Sequence, residues 1–450
     1  MNQRETPPGI CPHIIQKGLN EPIEFYRGKL IVNKDNISFQ VDGKIQLVWL
    51  PFASLKFELE GTEELQYNEF NQLHCGDKID LIILGQENNI LEGKITHTSS
   101  VIRGEIVDTK TDKNRQGERQ ASYAKFFIPN FRYIIGTSIL NKKKDSGFSV
   151  TYRLSLSAKG WNITLDSLSN IDQLEKDLIN SSGFAITHYG ILEKKDGSLF
   201  DYQESKKIID ALKCYLSFVS GSFISPYALV GFNADHNEVW KGWKSSCMFP
   251  YQNNISWVSK FDRQTFEEPF KGFADLYFDP EWSDSLQQII YIYVEANHIA
   301  IDVEGAIILL QSALELLAYE ILVEKNRVLS QQGFERLPSG ESIRLLFGWL
   351  KIPLDISEHL EVLHRKAKEK NWLAPDAITE IRNCIVHPTK KNRMKLNGHY
   401  QEAYRVRDLC QWSLELCILK LCNYNGVYTN RLKRIQYNGD VDPVPWGSEE

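Results

Sequence analysis

Five signatures are missing from this 450-residue sequence, and each absence argues against a class of protein. There is no Cys-x-x-Cys pair, so the eight cysteines (11, 75, 214, 247, 384, 410, 417 and 422) offer neither a zinc ribbon nor a dithiol redox centre. There is no His-Glu-x-x-His. His359 and His364 in "HLEVLHRK" stand five apart, a spacing that fits surface histidines on a charged helix better than a zinc protease. No Gly-x-x-x-x-Gly-Lys-Ser/Thr or Gly-x-Gly-x-x-Gly loop is present to cradle the phosphates of a nucleotide. No run of about 18 apolar residues is evident, which argues against a bilayer span. The opening "MNQRETPPGICPHIIQKG" lacks the basic start, apolar core and small-residue cleavage site of a secretory signal. No metal or cofactor is expected, and cysteines in apolar helical context suit reduced thiols in the cytoplasm.

The charge balance also excludes something. A net charge of −6 argues against a constitutive nucleic-acid coat protein. The distribution is uneven, however. Between 382 and 407 lie Arg382, Lys390, Lys391, Arg393, Lys395, Arg405 and Arg407, against Glu402 alone. A solvated loop and a phosphate-contacting surface both fit that stretch.

A composition of 42% hydrophobic and 24% charged residues is that of a globular protein, and the length predicts two or three domains. The front half reads as strands. "FYRGKLIV", "NISFQV", "IQLVWL", "LKFELE" and "KIDLIILG" are short β-branched or aromatic runs broken by Gly, Asn and Asp. "ILEGKITHTSSVIRGEIVD" alternates weakly, and "GFSVTYRLSLSAKGWNITLDSL" reads as a hairpin or meander. Polar stretches at 109–120 and 141–147 read as exposed loops. From 202 the period becomes helical, with Ile208, Ile209, Leu212, Leu216 and Val219 on one face and Gly221 as the stop. Trp240 and Trp243 fit an aromatic core or the wall of a ligand site.

From about 283 the pattern is nearly all helix, in roughly five segments. They are "SDSLQQIIYIYVEANH", "DVEGAIILLQSALELLAYEILVEKN", "SGESIRLLFGWLKI" with a Ser/Glu capping pattern, "PDAITEIRNCIVH" with Asp376 as a cap, and "YQEAYRVRDLCQWSLELCILKLCNYNG". Glu315 sits on an apolar helix, as an amphipathic edge or as a partner for Arg382. Cys410 and Cys417 share a face with Leu414 and Leu421, as core packing. No repeat or low-complexity tract is visible. The expected layout is α+β. A mostly β N-terminal domain over 1–275, sandwich or barrel-like and breaking near 150–200, precedes a helical domain over 281–435 and a tail over 436–450.

"AITEIRNCIVHPTKK" (377–391) carries the candidate chemistry. Ile378, Ile381 and Ile385 share a face and are expected to bury. Arg382 lies beside that face. His387, five residues on, stands roughly 140° from it on an ideal helix. Pro388 disfavours the helical region for His387, so the helix ends at or just before it. Cations in a last turn also favour the helix dipole by about 0.3–1 kcal/mol, so a purely structural role fits both residues. An Arg-x4-His pair arises about 0.4 times by chance in a chain of this composition, so spacing alone decides nothing.

The context adds more. "IRNCIVHP" near the end of a helical domain, followed by a long helix ending "LCNYNGVYTNR", resembles the HEPN superfamily, whose motif is Arg-polar-x3-His. It is closest to the Apea-like HEPN domain of bacterial anti-phage proteins, and the resemblance covers about 283–435. The β-rich front with "ALKCYLSFVSG" and "EVWKGW" also resembles the N-terminal domain that accompanies it.

The resemblance implies a metal-independent endoribonuclease, cytoplasmic and without cofactor. It would act in abortive infection as a homodimer whose composite site holds two Arg/His pairs. His387 would transfer protons and Arg382 would clamp the phosphate. Asn383 would orient one or the other, and Lys390, Lys391, Arg393 and Lys395 would contact RNA. The products would carry 2′,3′-cyclic phosphate ends. Where such domains are silenced by a nucleotidyltransferase, a tyrosine often follows two residues after the histidine; Thr389 stands there instead. Control by the N-terminal domain, answering a phage-derived trigger, is the expectation. The alternative is a non-catalytic HEPN module whose front domain binds a ligand or phage protein.

Overall fold

The computed structural model describes residues 8–50, 52–62, 69–86, 89–110, 120–142, 148–298, 302–387, 389–392, 400–434 and 437–447. The chain divides into two compact units. The first comprises Met1–Leu216 and Phe223–Asn253; the second comprises Ser217–Ser222 and Asn254–Glu450. The α+β expectation holds, but the division lies at 253/254. The expected junction at 275–281 falls instead among packed helices of the second unit.

In the first unit, β1 (Ile23–Lys34), β2 (Ile37–Val48), β3 (Ser54–Glu60), β4 (Lys78–Ile83), β5 (Ile90–His97) and β6 (Val101–Lys110) close an antiparallel barrel in the order β1-β2-β3-β6-β5-β4. Strand alternation sends Leu30, Val32, Val41, Ile45, Leu47, Phe57 and Leu81 inward, all buried. Gly104 and Gly93 make room for the Phe57 ring: a Cβ would stand 2.3 Å and 2.8 Å from it. The lumen is therefore filled by side chains. "NISFQV" and "IQLVWL", two runs in the sequence, are one strand. Asp42 and Gly43 between them stay in register with Lys29 and Gly28 of β1.

A seven-stranded antiparallel sheet follows. It is built from β7 (Tyr123–Pro129), β8 (Thr137–Lys142), β9 (Phe148–Ala158), β10 (Trp161–Ser167), β11 (Ile186–Lys194), β12 (Tyr227–Phe232) and β13 (Glu238–Gly242), in the order β13-β12-β7-β11-β10-β9-β8. The expected hairpin is β9–β10, turned by Lys159 and Gly160 at φ 53° and 78°. Helix α1 (Ile171–Ser181) has only Ile171 and Leu178 buried and so leaves little apolar pattern to read. Helix α2 (Tyr202–Ser220) buries all five expected apolar residues and stops at Gly221, φ 59°. The change of architecture lies between Lys110 and Tyr123, not at 150–200. Most of the two polar stretches, 111–119 and 143–147, lies outside the described residues.

Barrel and sheet share one core, in which Trp243 and Phe127 join the barrel side chains. Thr109 ties them: its Oγ1 donates to the Trp243 carbonyl (3.0 Å) and accepts from the Trp243 N–H (2.8 Å). Trp240 and Trp243 are both 2% exposed, as core residues.

The second unit is helical. Its elements are α3 (Gln264–Glu267), α4 (Pro269–Phe278), α5 (Ser283–Asn297), α6 (Val303–Tyr319), a π-helical turn (Glu320–Lys325), α7 (Gln331–Glu335), α8 (Ser339–Leu350), α9 (Glu361–Lys370), α10 (Ala374–Val386) and α11 (Tyr400–Leu421). All five expected helices are present. The Ser/Glu cap of α8 is not: Pro338 precedes the helix and no side chain caps it. Asp376 lies two residues inside α10, where its carboxylate reaches back to the Leu373 N–H (2.8 Å).

Of the expected tail, the described residues 437–447 are packed rather than free. Asp442–Pro443 (β15) pairs with Val427–Tyr428 (β14), Val444 is buried, and the Trp446 indole donates to the Tyr424 carbonyl (2.7 Å). Val303–Lys325 is long and apolar enough to cross a membrane, and 56% of that window is buried, as in a core helix. The sequence pattern alone had not disclosed it, because Glu304, Gln311, Ser312, Glu315 and Glu320 interrupt the run.

His188 in β11 is fully buried. The Thr187 hydroxyl donates to the Ile128 carbonyl (3.0 Å), so His188 Nδ1, 3.0 Å from that oxygen, must be the donor between them. Its Nε2 is buried without a partner, and Phe131 packs edge-on at 5.1 Å. Burial lowers its pKa from 6.5 to about 3. The unfolded chain takes up this proton below pH 6.5 and the folded chain does not until about pH 3, so the native state loses stability as pH falls through that window. Between pH 7 and 5 the loss is about 2 kcal/mol. Denaturant unfolding at the two pH values should show this extra loss in the wild type and not in His188→Leu.

Candidate active site at the end of helix α10

Helix α10 begins at Ala374 with Pro375 in its first turn, where a missing N–H does no harm. Ile378 and Ile381 bury as expected, but Ile385 is only half-buried and Cys384 completes the apolar face. The interhelical groove follows the i+3 step here rather than i+4. The buried face packs against α6, α8 and α11. Asp376 also holds Arg344 of α8 at 2.7 Å, which fixes the start of the helix.

The polar face runs to the other end. Arg382 is half-buried, and its Nη1 donates to Asn383 Oδ1 at 3.3 Å. Among the described residues it has no ion pair. Glu315, the possible partner, instead accepts from Gln311 Nε2 at 2.7 Å on its own helix. His387 is the residue after the last turn, exposed, at φ −111° and ψ 83°. Its N–H bonds the Asn383 carbonyl at 3.0 Å, and its ring makes no hydrogen bond among the described residues. No hydrogen bond joins Arg382 to His387. Among the described residues, one chain thus presents a guanidinium without a carboxylate and an imidazole without a hydrogen bond at the same helix end, with no hydrogen bond between them.

Lys390 and Lys391 are exposed and free of ion pairs among the described residues, whereas Arg393 and Lys395 lie outside those residues. Arg405 and Arg407 are drawn off by Asp408, at 3.6 Å and 2.9 Å. Asp408 is one residue past the stretch that reads as basic. Glu402 is bound to Lys366. Among the described residues the positive surface therefore consists of Arg382, Lys390 and Lys391, beyond the carbonyl end of α10, where the dipole also favours cations.

Behind the site, α11 is held by an ion pair that the sequence did not signal. Arg431 and Glu415 are 4% and 1% exposed. Arg431 Nε donates to Glu415 Oε2 (2.9 Å), its Nη2 to Oε1, and its Nη1 to Gln411 Oε1 (2.5 Å). The Tyr293 hydroxyl of α5 donates to the same carboxylate (2.5 Å). Gln411 in turn donates to Asn297 Oδ1 (3.0 Å). Burial works against the Arg431 charge, but the adjoining Glu415 outweighs it and holds the guanidinium above its usual range. Cys410 and Cys417 are fully buried on the same helix, where burial pushes their thiols up. His364 Nδ1 lies 2.6 Å from the Ile356 carbonyl and His359 is exposed, so neither faces a shared ligand. Among the described residues no cluster of His, Cys, Asp and Glu could hold a metal.

Comparison with known proteins places the chain beside one family. Residues 279–442 match the model of the YopA C-terminal domain, and residues 116–254 match that of the YopA central domain. The chain is 28% identical over 447 residues to the SPbeta prophage-derived uncharacterized protein YopA of Bacillus subtilis (strain 168), spanning 97% of this chain and 98% of that protein. This chain is similar to YopA along nearly its whole length. The two YopA domain boundaries fall beside features already described: the end of the barrel and the start of α5. No solved structure matches the chain.

Removing the guanidinium from the buried pair should be severe. Arg431→Ala leaves Glu415 charged and unpaired in the core, which costs about 3–5 kcal/mol. Denaturant unfolding should show that loss, while Arg405→Ala, at an exposed pair, should change stability by less than about 1 kcal/mol.

Proposed function

We propose that the helical unit is a metal-independent endoribonuclease of the HEPN type. In this reading His387 moves the proton between the 2′-hydroxyl and the leaving oxygen, and Arg382 stabilises the anionic phosphorane. Asn383, bonded to Arg382, orients the guanidinium. Lys390 and Lys391, with Arg393 and Lys395 beyond the described residues, bind the RNA backbone. The observation that carries the reading is the pairing of a half-buried arginine and an exposed histidine that, among the described residues, have no carboxylate partner and no ring hydrogen bond respectively. A structural arginine of that burial is ordinarily neutralised, as Arg431, Arg344 and Arg153 are in this protein.

Because Arg382 and His387 do not meet within one chain, a second copy supplies the opposing pair, and the working form is a homodimer. The enzyme acts in the cytoplasm in anti-phage defence, damaging RNA when a phage-derived trigger reaches the β-rich unit. A cleft of about 180 Å³ there, lined by Gly9, Ile10, Pro12, Thr151, Asp166 and Tyr189 among others, suits such a signal. The prophage-derived origin of the relative is in keeping with conflict among phages. The same lack of contact between Arg382 and His387 favours a second reading, a non-catalytic HEPN module that binds a partner.

End-labelled RNA incubated with the full-length protein in EDTA decides between them. Cleavage to cyclic-phosphate ends, reduced by at least about 100-fold in both His387→Ala and Arg382→Ala, is the expected result. Cleavage that survives both changes would remove the site, and intact RNA with every phage-infected extract tested would favour the binding module.

A further inference from the structure

We propose that Asn392 is a positioning residue for His387, an inference that rests on the ribonuclease reading. The residue an acid–base step uses must be held in place while its ring stays free, and His387 meets both conditions only because of what grips its backbone. Its N–H is tied to the helix through the Asn383 carbonyl at 3.0 Å. Its own carbonyl receives two donors from beyond the helix: the Thr389 N–H at 2.7 Å and the Asn392 side-chain amide Nδ2 at 2.8 Å. Asn392 is itself fixed, because residues 390–392 are helical and Thr389 caps that turn: the Asn392 N–H donates to Thr389 Oγ1 at 3.2 Å. Thr389 and Asn392 thus brace each other, and together they fasten the one peptide group that sets the direction of the His387 side chain.

The brace explains residue choices that the Arg-x4-His spacing leaves open. His387 has left the helix, at φ −111° and ψ 83°, so no intrahelical bond fixes its carbonyl. An isolated exposed residue there would sample several backbone wells. The amide of Asn392 is the only side-chain donor to that carbonyl among the described residues, and it reaches back five positions to make the bond. The threonine hydroxyl at 389 gives Asn392 its anchor.

Misplacement of a catalytic group by about 1 Å can cost on the order of 100-fold in rate. Asn392→Ala and the isosteric Asn392→Asp, which lacks the donor, should each lower kcat for RNA cleavage by roughly 10- to 100-fold with KM within about twofold. Asn392→Gln, which keeps the donor on a longer arm, should recover part of the loss. The second readout needs no activity: the His387 imidazole resonances in the full-length protein, assigned through His387→Ala. They should be a single sharp set in the wild type and in Asn392→Gln, and broadened or doubled in Asn392→Ala and Asn392→Asp. Thermal unfolding of the four proteins should agree within a few degrees, since the site is at a helix end.

Wild-type kcat in Asn392→Asp, or an unchanged His387 signal in both donor-less variants, overturns the proposal. If the wild type cleaves no RNA even with phage-infected extract added, the ribonuclease reading fails. The resonance arm still decides whether Asn392 holds His387.

Discussion

The helical unit depends on one buried ion pair. Arg431 and Glu415 are almost wholly removed from water, and a lone charge in that place would be strongly destabilising. The pair is tolerated because each remaining polar atom is met: Gln411 and the Ile255 carbonyl on the arginine side, the Tyr293 hydroxyl on the carboxylate side. Through these bonds α11 is locked to α5 and to the segment after it. Helix α10, which carries Arg382 and places His387 at its end, packs on α11 as well as on α6 and α8.

Against that rigid background the candidate site stands out by being unneutralised. Most half-buried cations in the unit have found carboxylates: Arg344 has Asp376, Lys366 has Glu402, and Arg407 has Asp408. Among the described residues Arg382 has only a neutral amide, that of Asn383. The site also lies at the carbonyl end of a helix, whose partial negative charge would repel a phosphate on its own. Arg382, Lys390 and Lys391 reverse that sign locally, which is what a phosphodiester substrate requires of this position.

How much of this was legible in the sequence follows from the range of the interactions involved. The strands of the barrel and the face of α2 showed through because alternation and helical period are local. So did the end of α10, from Pro388, and the burial of Ile378 and Ile381. Ile385 misled because a period alone does not say where a neighbouring helix stops. Helix α1 was invisible because two buried residues make no pattern, and the join of "NISFQV" to "IQLVWL" was hidden by an Asp-Gly that reads as a turn. Arg431, Glu415 and Tyr293 are separated by up to 138 residues, and nothing in one sequence links them. The basic stretch was overestimated because its neutralising Asp408 lies one residue beyond it. The brace of His387 by Asn392 had a faint local trace, Thr-x-x-Asn, that only the geometry makes meaningful.

The most direct test of the central claim uses the substrate's own chemistry. A site that works through His387 and Arg382 without a metal needs the ribose 2′-hydroxyl as its nucleophile. An RNA that the activated full-length protein cleaves should be remade with one 2′-O-methyl ribose at the cut position, and both oligonucleotides digested in EDTA. The account predicts cleavage of the first, with a 2′,3′-cyclic phosphate, and none of the second at that position. Equal cleavage of both would mean that water attacks the phosphate, and that the arginine and histidine at the end of α10 do not perform the reaction assigned to them.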